Sequence, residues 1–192
     1  VAVPRRGCWA EGDVATSCRR IHEALAAGLG RLGVPAEVAG PRPPLGRAHV
    51  EGGALCFAAV SSHEITVGGR KLVGSAQRRF GRAILQHGSI PLAADRRRLA
   101  DLMPGNSARA ARLLEETMVS LAEVLGERPD PVAVAAAVAE GFAAACDVRL
   151  AEGSWDPAEE ALAARLEAGE RAEDPPHAAG RALGCLDTPR CV

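Results

Sequence analysis

Apolar positions first recur at helical spacing between residues 17 and 33, where Ile21, Leu25, Leu29 and Leu32 fall on one face. Ser17 stands where an N-cap is expected and Gly33 where the chain would stop, so the segment is predicted as an amphipathic helix. Pro41, Pro43 and Pro44 lie between Gly40 and Gly46 and predict an exposed connection. The apolar run from Ala54 to Val60 suits a strand or a buried loop. From His63 the pattern alternates, with Ile65 and Val67 on one side and Glu64 and Thr66 on the other, before Gly68-Gly69 and the segment Arg70 to Gln77. Paired glycines tolerate the positive φ angles of a tight hairpin turn. A second turn near Arg79 to Gly81 leads into residues 82–92, which predicts a three-strand antiparallel meander.

After Asp95 the chain turns helical. Short helices are predicted over 95–103 and 107–116, and Ser120 can cap a further turn or two through Leu125. Asp130-Pro131 reads as an N-cap followed by proline at the first helical position, opening a helix to about Cys146 with Val134, Val138 and Phe142 on one stripe. A last helix begins at Asp156, where Pro157 and Glu159 complete a variant of the capping box. The pattern dissolves beyond about Gly169. The expected organisation is one domain over 1–165, lacking its N-terminal part, and a loose tail over 166–192.

Composition narrows the function classes. The chain has 192 residues with 23 Lys+Arg against 24 Asp+Glu, a formal charge of −1. That balance argues against a nucleic-acid binder. Apolar runs such as Val132 to Ala139 fall short of the roughly 18 residues needed to span a bilayer, and residues 1–20 lack the order of a signal peptide. No membrane association and a cytoplasmic location are therefore expected. The six cysteines, Cys8, Cys18, Cys56, Cys146, Cys185 and Cys191, are scattered without a C-x-x-C pair and are read as thiols. Cys18 and His22 lie one helical turn apart, but nothing offers further ligands, so no metal is expected.

The most unusual stretch runs from Cys56 to Gln77 and resumes at Ala83 to Ile90. Lys71 follows the two-glycine turn and precedes Gly74-Ser75-Ala76, three small residues in a strand where bulk is usually favoured. Small residues let a ligand approach the backbone, and a lysine beside such a gap can hydrogen-bond a carbonyl oxygen or pair with a phosphate. The plainer alternative is an exposed hairpin lysine. Cys56 is equally two-sided: a small buried hydrophobe, or a nucleophile activated by Lys71 or His63. His87 reads either as a catalytic group or as a hydrogen-bonded strand histidine. A phosphate-loop reading of the glycine turn fails, because the P-loop spacing is absent and a strand follows.

Taken together, Cys56-Phe57, Glu64-Ile65, Gly69-Arg70-Lys71-Leu72-Val73-Gly74-Ser75-Ala76-Gln77 and Leu85-Gln86-His87-Gly88-Ser89 resemble the biotin/lipoate protein ligase superfamily. The likeness is closest to octanoyltransferases of the Gram-positive type and lipoate-protein ligase homologues, and it extends loosely over residues 15–165. It implies an α/β (α+β) fold with a mixed or antiparallel central sheet flanked by helices. It also implies an enzyme of protein lipoylation. In the transferase branch Cys56 would take an octanoyl group from octanoyl-acyl carrier protein as a thioester and pass it to a lysine of a lipoyl domain. That acceptor would be a glycine-cleavage H protein or a 2-oxoacid dehydrogenase acyltransferase subunit. Lys71 would contact the acyl carbonyl, Gly74, Ser75 and Ala76 would line the acyl tunnel, and Gln77 and His87 would complete the substrate-binding set.

The transferase branch implies no cofactor. An ATP-dependent lipoate ligase, the alternative within the same superfamily, would need ATP and Mg²⁺ and no nucleophilic cysteine. A non-catalytic paralogue that binds a lipoyl domain is the third reading. Residues 1–14 do not contain the family's upstream arginine-arginine-x-threonine-glycine-glycine segment, so N-terminal truncation or degeneration is expected.

Overall fold

The computed structural model describes residues 1–4, 13–40, 62–81, 83–102 and 107–169. Its centre is an antiparallel meander of β3 (Ile65–Val67), β4 (Arg70–Arg79) and β5 (Ala83–Ser89). Gly68 and Gly69 make the first turn at φ 57° and 77°, the left-handed pair that a two-residue hairpin requires. Two short strands that periodicity does not predict extend the sheet: β1 (Ala2–Pro4) pairs with β5, and β2 (Glu37–Val38) pairs with β3. The order is β1-β5-β4-β3-β2, and every strand pair is antiparallel. Strands this short carry too few residues for alternation to show.

Helix α1 (Val14–Arg31) begins three residues before Ser17. Asp13 caps it by accepting from the Thr16 N–H at 2.8 Å, and Ser17 lies buried inside the first turns. The expected cap at Ser17 is therefore wrong, because its hydroxyl is engaged with β4. α1 buries Cys18, Ile21, Ala24, Gly28 and Leu29. Helix α5 (Pro131–Cys146) runs against it in the opposite sense, with Asp130 as cap. The two backbones touch at glycine: a Cβ on Gly141 would lie 2.5 Å from the Ala24 carbonyl oxygen, and one on Gly28 would lie 2.7 Å from that of Ala137.

Between them and the sheet sits the main core of Leu29, Val34, Ile65, Leu72, Val73, Val119, Leu121 and Val134. Helices α2 (Arg96–Asp101) and α3 (Ser107–Thr117) close a smaller core of Ala100, Leu114 and Met118. The segment after α3 runs beside β4, where the Val119 N–H donates to the Lys71 carbonyl at 3.0 Å, and then enters α4 (Leu121–Leu125) through a Ser120/Glu123 capping box. Helix α6 (Pro157–Glu167) has the expected Asp156/Glu159 box and buries no side chain. The expected connection at 41–46, the run 54–60 and the tail from 170 onward lie outside the described residues. No helix among the described residues is long and apolar enough to cross a membrane.

Candidate active site

Strand β4 carries most of the residues singled out by sequence, and one irregularity decides how they face. β3 pairs Val67 with Arg70 and Thr66 with Lys71, but Ile65 with Val73, so β4 advances two residues where β3 advances one. Leu72 is the extra residue of a β-bulge. Residues directly opposite share a face of the sheet, and successive residues of a strand alternate. Lys71 therefore lies on the face of Thr66, and Val73 on that of Ile65. Leu72 and Val73 both pack into the core with Ile65, as a bulge allows.

Beyond the bulge the pairing with β5 is regular: Gly74 with Ser89, Ser75 with Gly88, Ala76 with His87 and Gln77 with Gln86. Alternation puts Ser75, Gln77 and Gln86 on the face covered by α1. Gly74, Ala76, His87 and Ser89 take the opposite face, where His87 and Ser89 are exposed. Without the bulge Lys71 would point the same way as Ser75. The bulge turns it to the face of Gly74, Ala76 and His87.

Lys71 is not the solvated residue its place after a tight turn suggests. It is 2% exposed and forms an ion pair with Glu64, which is 0% exposed. Glu64 precedes Thr66 by two residues, so both partners lie on one face. Removing one member of such a pair leaves an uncompensated buried charge, which costs about 3–5 kcal/mol. An alanine at 71 is thus a stability variant as well as a functional one.

Behind β4 the α1 face is held by a buried polar network. The His22 Nδ1 meets the His63 carbonyl, an acceptor only, so Nδ1 carries the proton and Nε2 accepts. Its Nε2 lies 2.7 Å from the Ser75 hydroxyl and 3.0 Å from the Gln86 amide nitrogen. Burial pushes the His22 pKa down to about 4, the His63 carbonyl opposing this and the Lys71 charge adding to it. The Gln77 amide donates to Gln86 Oε1 at 2.8 Å, and its own carbonyl lies 3.0 Å from the Ser17 hydroxyl and 3.2 Å from Arg79 Nε. These bonds satisfy polar groups that would otherwise be costly to bury.

The structure thus separates the residues that sequence grouped together. Lys71, Gly74, Ala76 and His87 share one face. The side chains of Ser75 and Gln77, expected among the acyl-binding residues, are turned to α1 and hydrogen-bonded there, a difference that follows from strand alternation. Cys56 lies outside the described residues. The expectation of six thiols fails at Cys18, which is disulfide-bonded, while Cys146 forms no disulfide. Glu64, paired with Lys71, and His22, bonded to Ser75, are the candidate-site residues that sequence reasoning missed. Glu64 read as the polar side of an alternating strand, and His22 as a helix residue one turn from Cys18 with no further ligands to make a metal site.

An antiparallel sheet with a buried lysine on its central strand, backed by two antiparallel helices, is the frame that comparison with known proteins places in a family. Residues 2–143 match the lipoyl protein ligase A/B catalytic domain, and the chain belongs to that family. It is similar to the octanoyltransferase LipM of Moorella thermoacetica, 37% identical over 167 residues, covering 85% of this chain and 60% of that protein. Likewise it is 39% identical to the octanoyltransferase LipM of Kyrpidia tusciae, covering 85% of this chain and 61% of that one. The chain therefore spans about three-fifths of the length of these relatives. Its fold is that of lipoate-protein ligase A bound with ATP, at TM-score 0.65 and 19% identity over 86% of this chain and 57% of that one. A bi-partite lipoate protein ligase of Thermoplasma acidophilum, solved in work on its E2 lipoyl domain, has the same fold at TM-score 0.64 and 18% identity, covering 86% and 56%.

Proposed function

We propose that the protein to which this chain belongs is an octanoyltransferase of lipoylation, moving an octanoyl group from octanoyl-acyl carrier protein to a lysine of a lipoyl domain. The observation that carries the reading is the bulge at Leu72, which turns Lys71 toward the face of Gly74, Ala76 and His87. The identity to octanoyltransferases across most of the chain supports the choice of reaction. In the first step the Cys56 thiolate attacks the donor thioester carbonyl, a carbon–sulfur bond forms to Cys56, the carbon–sulfur bond to the carrier breaks, and the carrier leaves as its thiolate. In the second the acceptor lysine's neutral amine attacks the Cys56 thioester, an amide forms as the carbon–sulfur bond to Cys56 breaks, and the proton lost by the amine restores the Cys56 thiol.

Both steps pass through a tetrahedral oxyanion. The Lys71 ammonium would donate to that oxygen, and because the oxygen gains charge in the transition state the bond strengthens as reaction proceeds; one such donor is typically worth about 3–4 kcal/mol. Gly74 and Ala76 offer the acyl chain a strand face without bulk, and His87 stands beside Ala76. Ser75 and Gln77 would act from behind, by fixing β4 against α1. A thioester donor is already activated, so the reaction needs no nucleotide.

The whole protein incubated with octanoyl-acyl carrier protein is expected to carry a hydroxylamine-labile octanoyl adduct on Cys56, lost in Cys56→Ala, and to acylate a lipoyl domain without ATP. Transfer that requires ATP and Mg²⁺ and survives Cys56→Ala would make the protein a lipoate ligase instead. Binding of the lipoyl domain with neither activity would make it a non-catalytic paralogue.

A further inference from the structure

We propose that Glu64 is a positioning residue that holds the Lys71 ammonium on its face of β4, and that turnover depends on this carboxylate through Lys71. The inference rests on the reading of Lys71 given above.

Glu64 is held in place from several sides. Its carbonyl accepts from the Ala39 N–H at 2.7 Å, and the His63 N–H donates to the Ala39 carbonyl at 3.0 Å, so the end of β2 grips both residues. His63 itself sits at φ 67°, a left-handed conformation that a non-glycine residue adopts only when its surroundings impose it. The constraint is visible: the His63 carbonyl accepts from His22 Nδ1 on α1. On the far side of β4, the Lys71 backbone is fixed by the Val119 N–H and by its bridge to Met118. The two side chains therefore meet from backbones that are each anchored independently.

A buried ion pair is a poor device for stability alone, since apolar residues of the same volume often serve as well or better. What a carboxylate supplies that an apolar residue cannot is a fixed direction for the amine's N–H donors. Lysine needs that help, because its ammonium rides on a flexible four-carbon stem. An ammonium has three N–H donors, so a bond to Glu64 is compatible with another to an acyl oxygen. Misplacing a catalytic group by about 1 Å can cost about 10²-fold in rate.

The test is a double-mutant cycle in the whole protein, reading octanoyl transfer from octanoyl-acyl carrier protein to a lipoyl domain. Glu64→Gln is expected to lower kcat at least about tenfold while KM for the octanoyl donor stays within about twofold. In a Lys71→Met background the same substitution is expected to change kcat by less than about twofold, because its effect passes through the lysine. Glu64→Asp, which keeps the charge but draws it back by one methylene, should fall between wild type and Gln. Wild-type kcat in Glu64→Gln, or losses that simply multiply in the double variant, would overturn the proposal. If Gln prevents folding, Asp decides: wild-type kcat in Glu64→Asp overturns it. Lys71→Met at the wild-type rate would overturn the reading of Lys71 itself, whereas an impaired Lys71→Met beside a fully active Glu64→Gln overturns the positioning role alone.

Discussion

Two glycines in helices are expected to respond to alanine with opposite signs. Gly141 of α5 faces α1 so closely that a Cβ would lie 2.5 Å from the Ala24 carbonyl oxygen, 2.5 Å from the Gly28 nitrogen and 2.6 Å from Gly28 Cα. All three are backbone atoms, so no side chain can swing aside. Restoring an ordinary contact of about 3.4 Å from 2.5 Å requires the helices to part by about 0.9 Å, which loosens Leu29 and Val134 in the core beneath. Overpacking of this kind costs up to about 3 kcal/mol, and the higher helix propensity of alanine returns about 1. Gly141→Ala should therefore lose about 2 kcal/mol net, a fall in Tm of roughly 4–8 °C for a domain of this size. Gly30, near the end of α1, has nothing within 4 Å of its Cβ position. Gly30→Ala gains the propensity term without the clash and should stabilise by up to about 1 kcal/mol. Urea denaturation followed by circular dichroism, with the two variants beside wild type, measures both. Equal stability of Gly141→Ala and Gly30→Ala would refute the close α1–α5 packing, since intrinsic propensity nearly cancels between them.

Because the folded-state pKa of His22 is about 4 against an ordinary 6.5, the unfolded chain takes up the proton first as pH falls. Stability should be full above about pH 6.5, decline between there and about 4, and lose about 3 kcal/mol in all; urea midpoints across that range check it, and His22→Gln should flatten the dependence. Arg96 donates to the carbonyls of Leu114 at 3.2 Å and Met118 at 3.0 Å and to Glu123 at 2.7 and 2.6 Å, tying the end of α3 to α4 beside Lys71. Arg96→Met keeps the stem and removes these charge-assisted bonds, and thermal denaturation should show a loss of about 2 kcal/mol; an unchanged Tm would mean the clamp contributes nothing.

What the sequence determines by itself is local. Asp130-Pro131, Asp156 with Glu159, and Ser120 with Glu123 announce their helices because a cap and its partners lie within three residues of one another. Gly68-Gly69 announces a hairpin for the same reason, the conformational demand being met by the two residues that make the turn. The run from Lys71 to Gln77 was legible as a site-bearing strand, and Lys71, Gly74, Ala76 and His87 do come to one face. How they come to it was decided elsewhere. The bulge at Leu72 arises from pairing with β3, and an unbroken alternation read from sequence puts Lys71 on the wrong side. Ser17 reads as a cap because nothing local reveals Gln77, sixty residues away, at 3.0 Å from its hydroxyl. Glu64 reads as the polar side of an alternating strand because burial belongs to the assembled sheet and not to the eight-residue stretch from Glu64 to Lys71. Hydrogen bonds and ion pairs between distant segments form only when the chain has closed those loops, so the identity of the residues on each face is tertiary information.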